Sequence, residues 1–206
     1  MIDPLAIVHE GLEESARVKR AMAALGPSIV RVAERMARAF AAQNHLYACG
    51  NGGSACDAIH LVEELVARYK RDRPGLPAHH LLDAATLTCW SNDYDFEGVF
   101  ARQVQAMMGT GDLLFAISTS GSSPNVVRAV EAANERGAIT IGLAGRDGGR
   151  LRELCTELLI VPSDATERIQ EGHITIIHLL CDLVERMLFG DLHPAFSPSS
   201  DGPPLP

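Results

Sequence analysis

The sequence predicts an α/β fold: a three-layer sandwich on a five-stranded parallel sheet in the order 2-1-3-4-5, preceded by an N-terminal helical hairpin. Two observations predict it. Five short apolar runs alternate with segments of helical periodicity, the pattern of strands joined by crossover helices. Two polar turns, residues 50–54 and 118–123, follow the first and third of those runs. In that strand order the topological switch lies between strands one and three, and ligands bind there, outside the carboxyl ends of the strands.

The elements follow in order. Leu5, Val8, Leu12 and Ala16 recur at helical spacing over residues 4–22, and Gly26-Pro27 breaks the run. Ser28 is placed to cap a second helix striped by Ile29, Val32, Met36 and Phe40. This hairpin is either a cover on the sheet or an oligomer contact. Residues 45–48 form the first strand, and the glycine-rich turn 50–54 opens a helix striped by Ala58, Ile59, Leu61, Val62 and Leu65 that reaches about Tyr69. The basic run 68–75 reads as a solvated helix end, stopped by Pro74-Gly75. A second strand covers 78–82, Asp83 caps a short helix through Trp90, and 91–95 is a polar turn. Phe96, Val99, Phe100, Val104 and Met107 mark the next helix.

The third strand is 113–117. Ser123 stands as cap and Pro124 as first residue of a helix that Gly137 stops. Strand 139–143, a short helix 151–155 and strand 158–161 complete the sheet. The last helix spans about 166–189 and is apolar on most faces between Ile174 and Leu188, so it is buried between several partners. Residues 1–190 read as a single domain. The tail 191–206, rich in Pro, Ser and Gly, reads as disordered.

Composition narrows the function. With 47% hydrophobic residues among 206 and no apolar run of membrane-spanning length, the chain reads as soluble, without a membrane role. The N-terminus shows no basic region followed by an apolar block, hence no secretory signal. Cys49, Cys56, Cys89, Cys155 and Cys181 include no CxxC pair and read as buried free thiols of a cytoplasmic protein. Net charge is −8, and the lysines are Lys19 and Lys70 alone, so no basic face for nucleic acid is expected. An anionic ligand must then be held by backbone donors, hydroxyls and a few arginines.

The chemistry-bearing residues sit at the two turns and on two helices. The turn 50–54 lacks both the Lys-Ser/Thr of a P-loop and the dinucleotide spacing, but it brings backbone N–H groups to a helix N-terminus, a ready phosphate site. His60 and Glu64, four residues apart, project from one helix face. Read alone, such a pair is a surface or capping pair. Read alone, His178 is a core histidine, and His173 keeps a structural or interface reading.

Taken together, CGNGGSACDAIHLVEEL, SNDYDF, ISTSGSSPNV and ERIQEGHITIIHLLCDLVE resemble the sedoheptulose-7-phosphate isomerase (phosphoheptose isomerase) family, a branch of the sugar-isomerase (SIS) domain fold. The resemblance runs in order over about residues 3–190. It implies a homotetramer with active sites at subunit interfaces, a sugar-phosphate substrate and one zinc ion per site. By motif matching it implies Asn51, Gly52, Gly53 and Ser54 as substrate contacts on the first turn, with Asn92 and Asp93. Ser118, Thr119, Ser120 and Ser123 match the phosphate-binding hydroxyls, and Glu167 and Gln170 also fall at substrate positions. His60, Glu64, Gln170 and His178 match the metal ligands, and Glu64 and His178 the acid/base pair. Glu167 departs from the Asp of close relatives, Ala55 replaces a bulkier residue, Gly172 interrupts the last helix, and the tail is an addition.

An aldose–ketose isomerisation moves a proton between C1 and C2 through an enediol, so it needs one group to take a carbon-bound proton and another to serve the oxygens. Glu64 and His178 meet that need if their helices face the same carbons. One geometric difficulty stands: Gln170 and His178 are roughly 12 Å apart along a straight helix, far more than two metal bonds span. The rival readings are a non-catalytic SIS protein that binds a replication initiator, a phosphosugar sensor, and an isomerase for another sugar phosphate.

Overall fold

A computed structural model describes residues 3–190 and 192 of the chain. Apart from Leu192, the tail expectation falls outside these residues. Helix α1 (Pro4–Ala21) is capped by Asp3, whose carboxylate accepts from the Leu5 N–H at 3.0 Å, with Pro4 at the position that lacks a partner for an N–H anyway. A 3-10 turn, Met22–Leu25, leads straight into α2 (Gly26–Ala41). Pro27 therefore lies in the first turn of α2, where its missing N–H costs nothing, and Ser28 is not the cap; its hydroxyl accepts from Arg31 Nη2 instead.

After the hairpin come β1 (Leu46–Gly50), α3 (Gly53–Val66), β2 (Ala78–His80), α4 (Ala84–Asp93), α5 (Val99–Met107) and β3 (Leu113–Ser118). Then α6 (Pro124–Glu135), β4 (Ile139–Ala144), α7 (Leu151–Leu154), β5 (Glu157–Ile160) and α8 (Thr166–Phe189) complete the domain. All strand pairs are parallel, and the order is β2-β1-β3-β4-β5. The parallel sheet expected from the alternation of elements and the order expected of a doubly wound sheet are both present.

Alternation along each strand builds the two outer layers. Leu46, Ala48, Leu113, Phe115, Ile117, Ile141 and Leu143 face a core shared with α2, α3 and α8. Tyr47, Cys49, Leu114 and Ala116 face the other side, against α5, α6 and Leu151 of α7. On α2 the whole expected stripe, Ile29, Val32, Met36 and Phe40, is buried. The α1 stripe is not: Leu5, Val8 and Leu12 are each more than half exposed. So α2 covers the sheet, and α1 presents apolar surface outward.

Three local expectations need correction. Helix α3 stops at Val66, not at Tyr69, because residues 67–75 turn back and the Leu76 N–H donates to the Leu65 carbonyl. The basic run is not a solvated helix end throughout: Arg73 and Glu185 form an ion pair with side chains 1% and 2% exposed. Helix α4 continues through Asp93, so Asn92 and Asp93 lie on its last turn rather than in a polar loop. The thiols also divide. Cys49 and Cys181 are buried, but Cys56 and Cys89 are exposed on helix surfaces; all five are free.

Candidate active site

The two polar turns meet at the crevice between β1 and β3. Gly52, at φ +54°, precedes α3 in a conformation that favours glycine. Asn51 Nδ2 donates to Asn125 Oδ1 at 2.8 Å, and Asn125 Nδ2 donates back to Asn51 Oδ1 at 2.9 Å. Asn125, the second residue of α6, also accepts from the Val126 N–H. This reciprocal amide pair ties the start of α3 to the start of α6. Asn125 was missed by sequence reasoning; its place directly after a helix-opening proline was the available signal.

The second turn is a cluster of hydroxyls. Ser118 Oγ lies 3.0 Å from Ser123 Oγ and 3.4 Å from Ser120 Oγ, and Ser120 Oγ accepts from the Ser122 N–H. Ser123 stands at the N-cap position, but its hydroxyl turns to Ser118 rather than to a helix N–H. The loop after β4 braces the turn: the Gly145 N–H donates to the Thr119 carbonyl and the Leu151 N–H to the Gly121 carbonyl. A β-carbon at Gly121, φ +65°, would collide with the Gly148 carbonyl, so these two loops pack backbone to backbone.

Helices α3 and α8 supply the remaining groups. They run side by side in one direction, because stepping along α3 through Gly53, Asp57 and His60 meets Gln170, His173 and His178 in turn. A β-carbon at Gly53 would collide with the Gln170 amide. His173 is fully buried, with Nε2 at 3.1 Å from the Ala144 carbonyl, and its Nδ1 lies 4.0 Å from Asp57 Oδ2. Neither of those two facing atoms has a hydrogen-bond partner. Burial pushes the His173 imidazole down to about 4 and the Asp57 carboxyl up to about 6.

Further along, His60 Nε2 lies 3.2 Å from Glu64 Oε1 and 3.2 Å from His178 Nε2. The ligand-type atoms of these three residues all fall within 4.8 Å of one another, and each residue is half-buried. The single bonding position of His60 Nε2 cannot satisfy both contacts, so a shared cation fits this set better than hydrogen bonds alone. Two ligands on a tetrahedral zinc, with bonds of about 2 Å, stand roughly 3.3 Å apart, close to both separations. The Gln170 amide lies beside Gly53, seven residues ahead of His60 or roughly 10 Å of helix rise, which keeps the difficulty raised by its spacing from His178.

The other candidates lie in terminal turns of helices. Asn92 Nδ2 donates to Asp93 Oδ1, the Cys89 thiol lies 3.7 Å from Asp93 Oδ2, and Asn92 and Asp93 are exposed. Glu167 is exposed in the first turn of α8, and Ser54 is buried in that of α3. An apolar cavity of about 590 Å³ opens elsewhere, at the amino end of the strands, against Phe40, His45, Leu76, Ala78, His79 and Phe189; none of the candidate residues lines it.

The family model described as SIS domain matches residues 12–145. The phosphoheptose isomerase of Halorhodospira halophila is 51% identical over 188 residues, 89% of this chain and 95% of that protein. The chain belongs to the phosphoheptose isomerase family of SIS domain proteins. Solved structures of family members superpose along its length. Phosphoheptose isomerase GmhA from Neisseria gonorrhoeae gives a TM-score of 0.84 at 40% identity, covering 89% of this chain and 99% of that one. The phosphoheptose isomerase from Francisella tularensis gives 0.87 at 36% identity, covering 90% and 100%.

Proposed function

We propose that this chain interconverts sedoheptulose 7-phosphate and D-glycero-D-manno-heptose 7-phosphate, an aldose–ketose isomerisation through an enediol. The observation that carries the chemistry is the convergence of Glu64 from α3 and His178 from α8 on one point beside His60. Glu64 Oε1 is engaged by His60, which leaves Oε2 to take the carbon-bound proton. His178 serves the substrate oxygens from the neighbouring helix. The relatives' shared name supports the substrate, and the intact set of His60, Glu64, Gln170 and His178 favours catalysis over a purely partner-binding role.

The phosphate belongs at the hydroxyl turn, through Ser118, Thr119, Ser120 and Ser123 at the start of α6. With two lysines and net charge −8, the chain relies on hydroxyls, N–H donors and a few arginines to hold an anion. Binding energy at that remote end orients the sugar without changing during the reaction. Asn51, Gly52, Gly53 and Ser54 on the first turn, Asn92, Asp93, Glu167 and Gln170 complete the substrate contacts in this reading. His60, Glu64 and His178 would hold a zinc ion, and that ion would act as a Lewis acid toward developing negative charge; Gln170, beside Gly53, would serve the substrate rather than the ion.

The enzyme is read as a cytoplasmic homotetramer. Its exposed α1 stripe, with Tyr94 and Phe96 after α4, supports self-association, and its five free thiols support a reducing compartment. Among the described residues no helix is long and apolar enough to cross a membrane. Incubating purified protein with sedoheptulose 7-phosphate and reading out the aldose tests the assignment. Turnover is expected for the wild type and none for Glu64→Gln with its sugar-phosphate binding retained; full activity in that variant would end the acid/base assignment.

A further inference from the structure

The segment that follows α3 is held to α8 by an unusually complete set of bonds. The carboxylate of Glu185 accepts the backbone N–H groups of Tyr69, Lys70 and Arg71 at 2.9, 3.0 and 3.1 Å, and Arg73 Nε at 2.9 Å. Arg73 then reaches the end of α3: Nη2 donates to the Glu64 carbonyl and Nη1 to the Leu65 carbonyl, both at 2.7 Å. Lys70 Nζ pairs with Asp182 at 3.2 Å. The Tyr69 ring stacks on the His178 imidazole, with centroids 5.7 Å apart and planes 19° from parallel. His178, Asp182 and Glu185 are spaced by four and three residues, so one face of α8 takes the whole segment.

The chemistry of these contacts reaches the two residues that matter. Arg73 bonds the carbonyl of Glu64 itself, in the last turn of α3, where helix carbonyls have no internal partner. Tyr69 covers one flat face of His178, while the His60 ring meets His178 at 66°. An imidazole held on its face and met by a second ring keeps one plane, and that plane aims Nε2 at His60. A buried Arg–Glu pair often adds little net stability over an apolar replacement, because desolvation offsets the attraction; here its bonds join the end of α3 to α8.

We propose that residues Tyr69–Arg73 form a positioning strap, in which the Arg73–Glu185 lock fixes the end of α3 against α8 and the Tyr69 ring sets the plane of His178. The inference rests on the reading of Glu64 and His178 as the reacting pair. Tyr69 is a positioning residue: it acts through the imidazole and does not touch the sugar.

The test uses the full chain with Tyr69→Leu, Tyr69→Phe and Arg73→Lys, and two readouts. Steady-state kinetics with sedoheptulose 7-phosphate give kcat and KM, and the absorbance of added Co(II) gives metal affinity independently of turnover. Partners that orient a ligating histidine are worth roughly 10–100-fold. Tyr69→Leu should lose that much in kcat and in Co(II) affinity, with KM within about threefold because the phosphate turn is untouched. Tyr69→Phe, which keeps the ring, should match the wild type in both. Arg73→Lys, which replaces the fork by a single ammonium, should fall in the same direction as Tyr69→Leu. Wild-type kcat and Co(II) affinity in Tyr69→Leu would overturn the strap, as would an equal loss in Tyr69→Phe. A wild type that turns over no sugar phosphate, with the same Co(II) series, would overturn the enzymatic reading and support the strap.

Discussion

The side-chain amides of Asn51 and Asn125 bond to each other in both directions, at 2.8 and 2.9 Å, across the crevice between β1 and β3. Asn125 is 2% exposed, so truncating it leaves the Asn51 amide without its partner and opens a void between the two turns. Losing one side of a buried amide pair costs about 1–3 kcal/mol. Asn125→Ala should therefore lower the urea midpoint and raise KM for the sugar phosphate, because both turns lose their common brace. A normal KM in a folded Asn125→Ala protein would separate the brace from substrate binding.

Ser120 lies at the open side of the hydroxyl cluster and Ser118 at its buried side, 3% exposed. A hydrogen bond to a charged group contributes about 1.5–3 kcal/mol, or roughly 10–100-fold in affinity. Ser120→Ala should raise KM by that order and lower kcat far less, since the phosphate end does not react. Inorganic phosphate inhibition should weaken in parallel; an unchanged KM and unchanged phosphate inhibition would move the anchor elsewhere.

Chelation should remove activity if the His60, Glu64 and His178 set holds the ion. His60→Ala removes the atom that lies 3.2 Å from both other groups. Dialysis against a chelator is expected to silence the wild type, and added zinc to restore it. His60→Ala should show no such restoration and should bind zinc at least 10-fold more weakly by competition with a chromophoric chelator. Full activity in chelator-treated wild type would exclude a required metal at this set.

Asp57 and His173 should compensate each other in the acid range. Between about pH 4 and 6 the folded pair carries its proton on Asp57, raised from 3.8, and none on His173, lowered from 6.5. The unfolded chain carries one proton too, on the histidine, so the pair contributes no slope. Asp57→Asn leaves the histidine alone, and then the unfolded chain binds more protons than the folded one. Its stability, relative to the wild type, should fall as pH drops from 6.5 toward 4, by about 1.4 kcal/mol per pH unit and roughly 3 kcal/mol in all. His173→Gln should tilt the other way, losing stability as pH rises from 3.8 to about 6. Urea unfolding at pH 4.5, 5.5 and 6.5 reads both; parallel curves for all three proteins would show that the pair does not titrate in this way.

The exposed stripe on α1 shows where sequence patterning stops being sufficient. Leu5, Val8 and Leu12 have the same periodicity as the buried Ile29, Val32, Met36 and Phe40, yet only the second set meets the sheet. Periodicity says that a face is apolar; it does not say what covers it. Arg73 makes the same point from the polar side, since a cation after a helix reads as solvated until Glu185, 112 residues later, is seen to bury it.

By itself the sequence determined the alternation of strands and helices, both polar turns and the residue types at the site. Those follow from short-range physics: the periods of strands and helices, the turn chemistry of glycine and serine, and the side of the chain each residue must take. Only the tertiary structure decided how α3 lies against α8, and with it that Gln170 faces Gly53 rather than joining His60 and His178. That alignment is set by side chains packing between two helices more than 100 residues apart in the chain, where no local pattern records the offset.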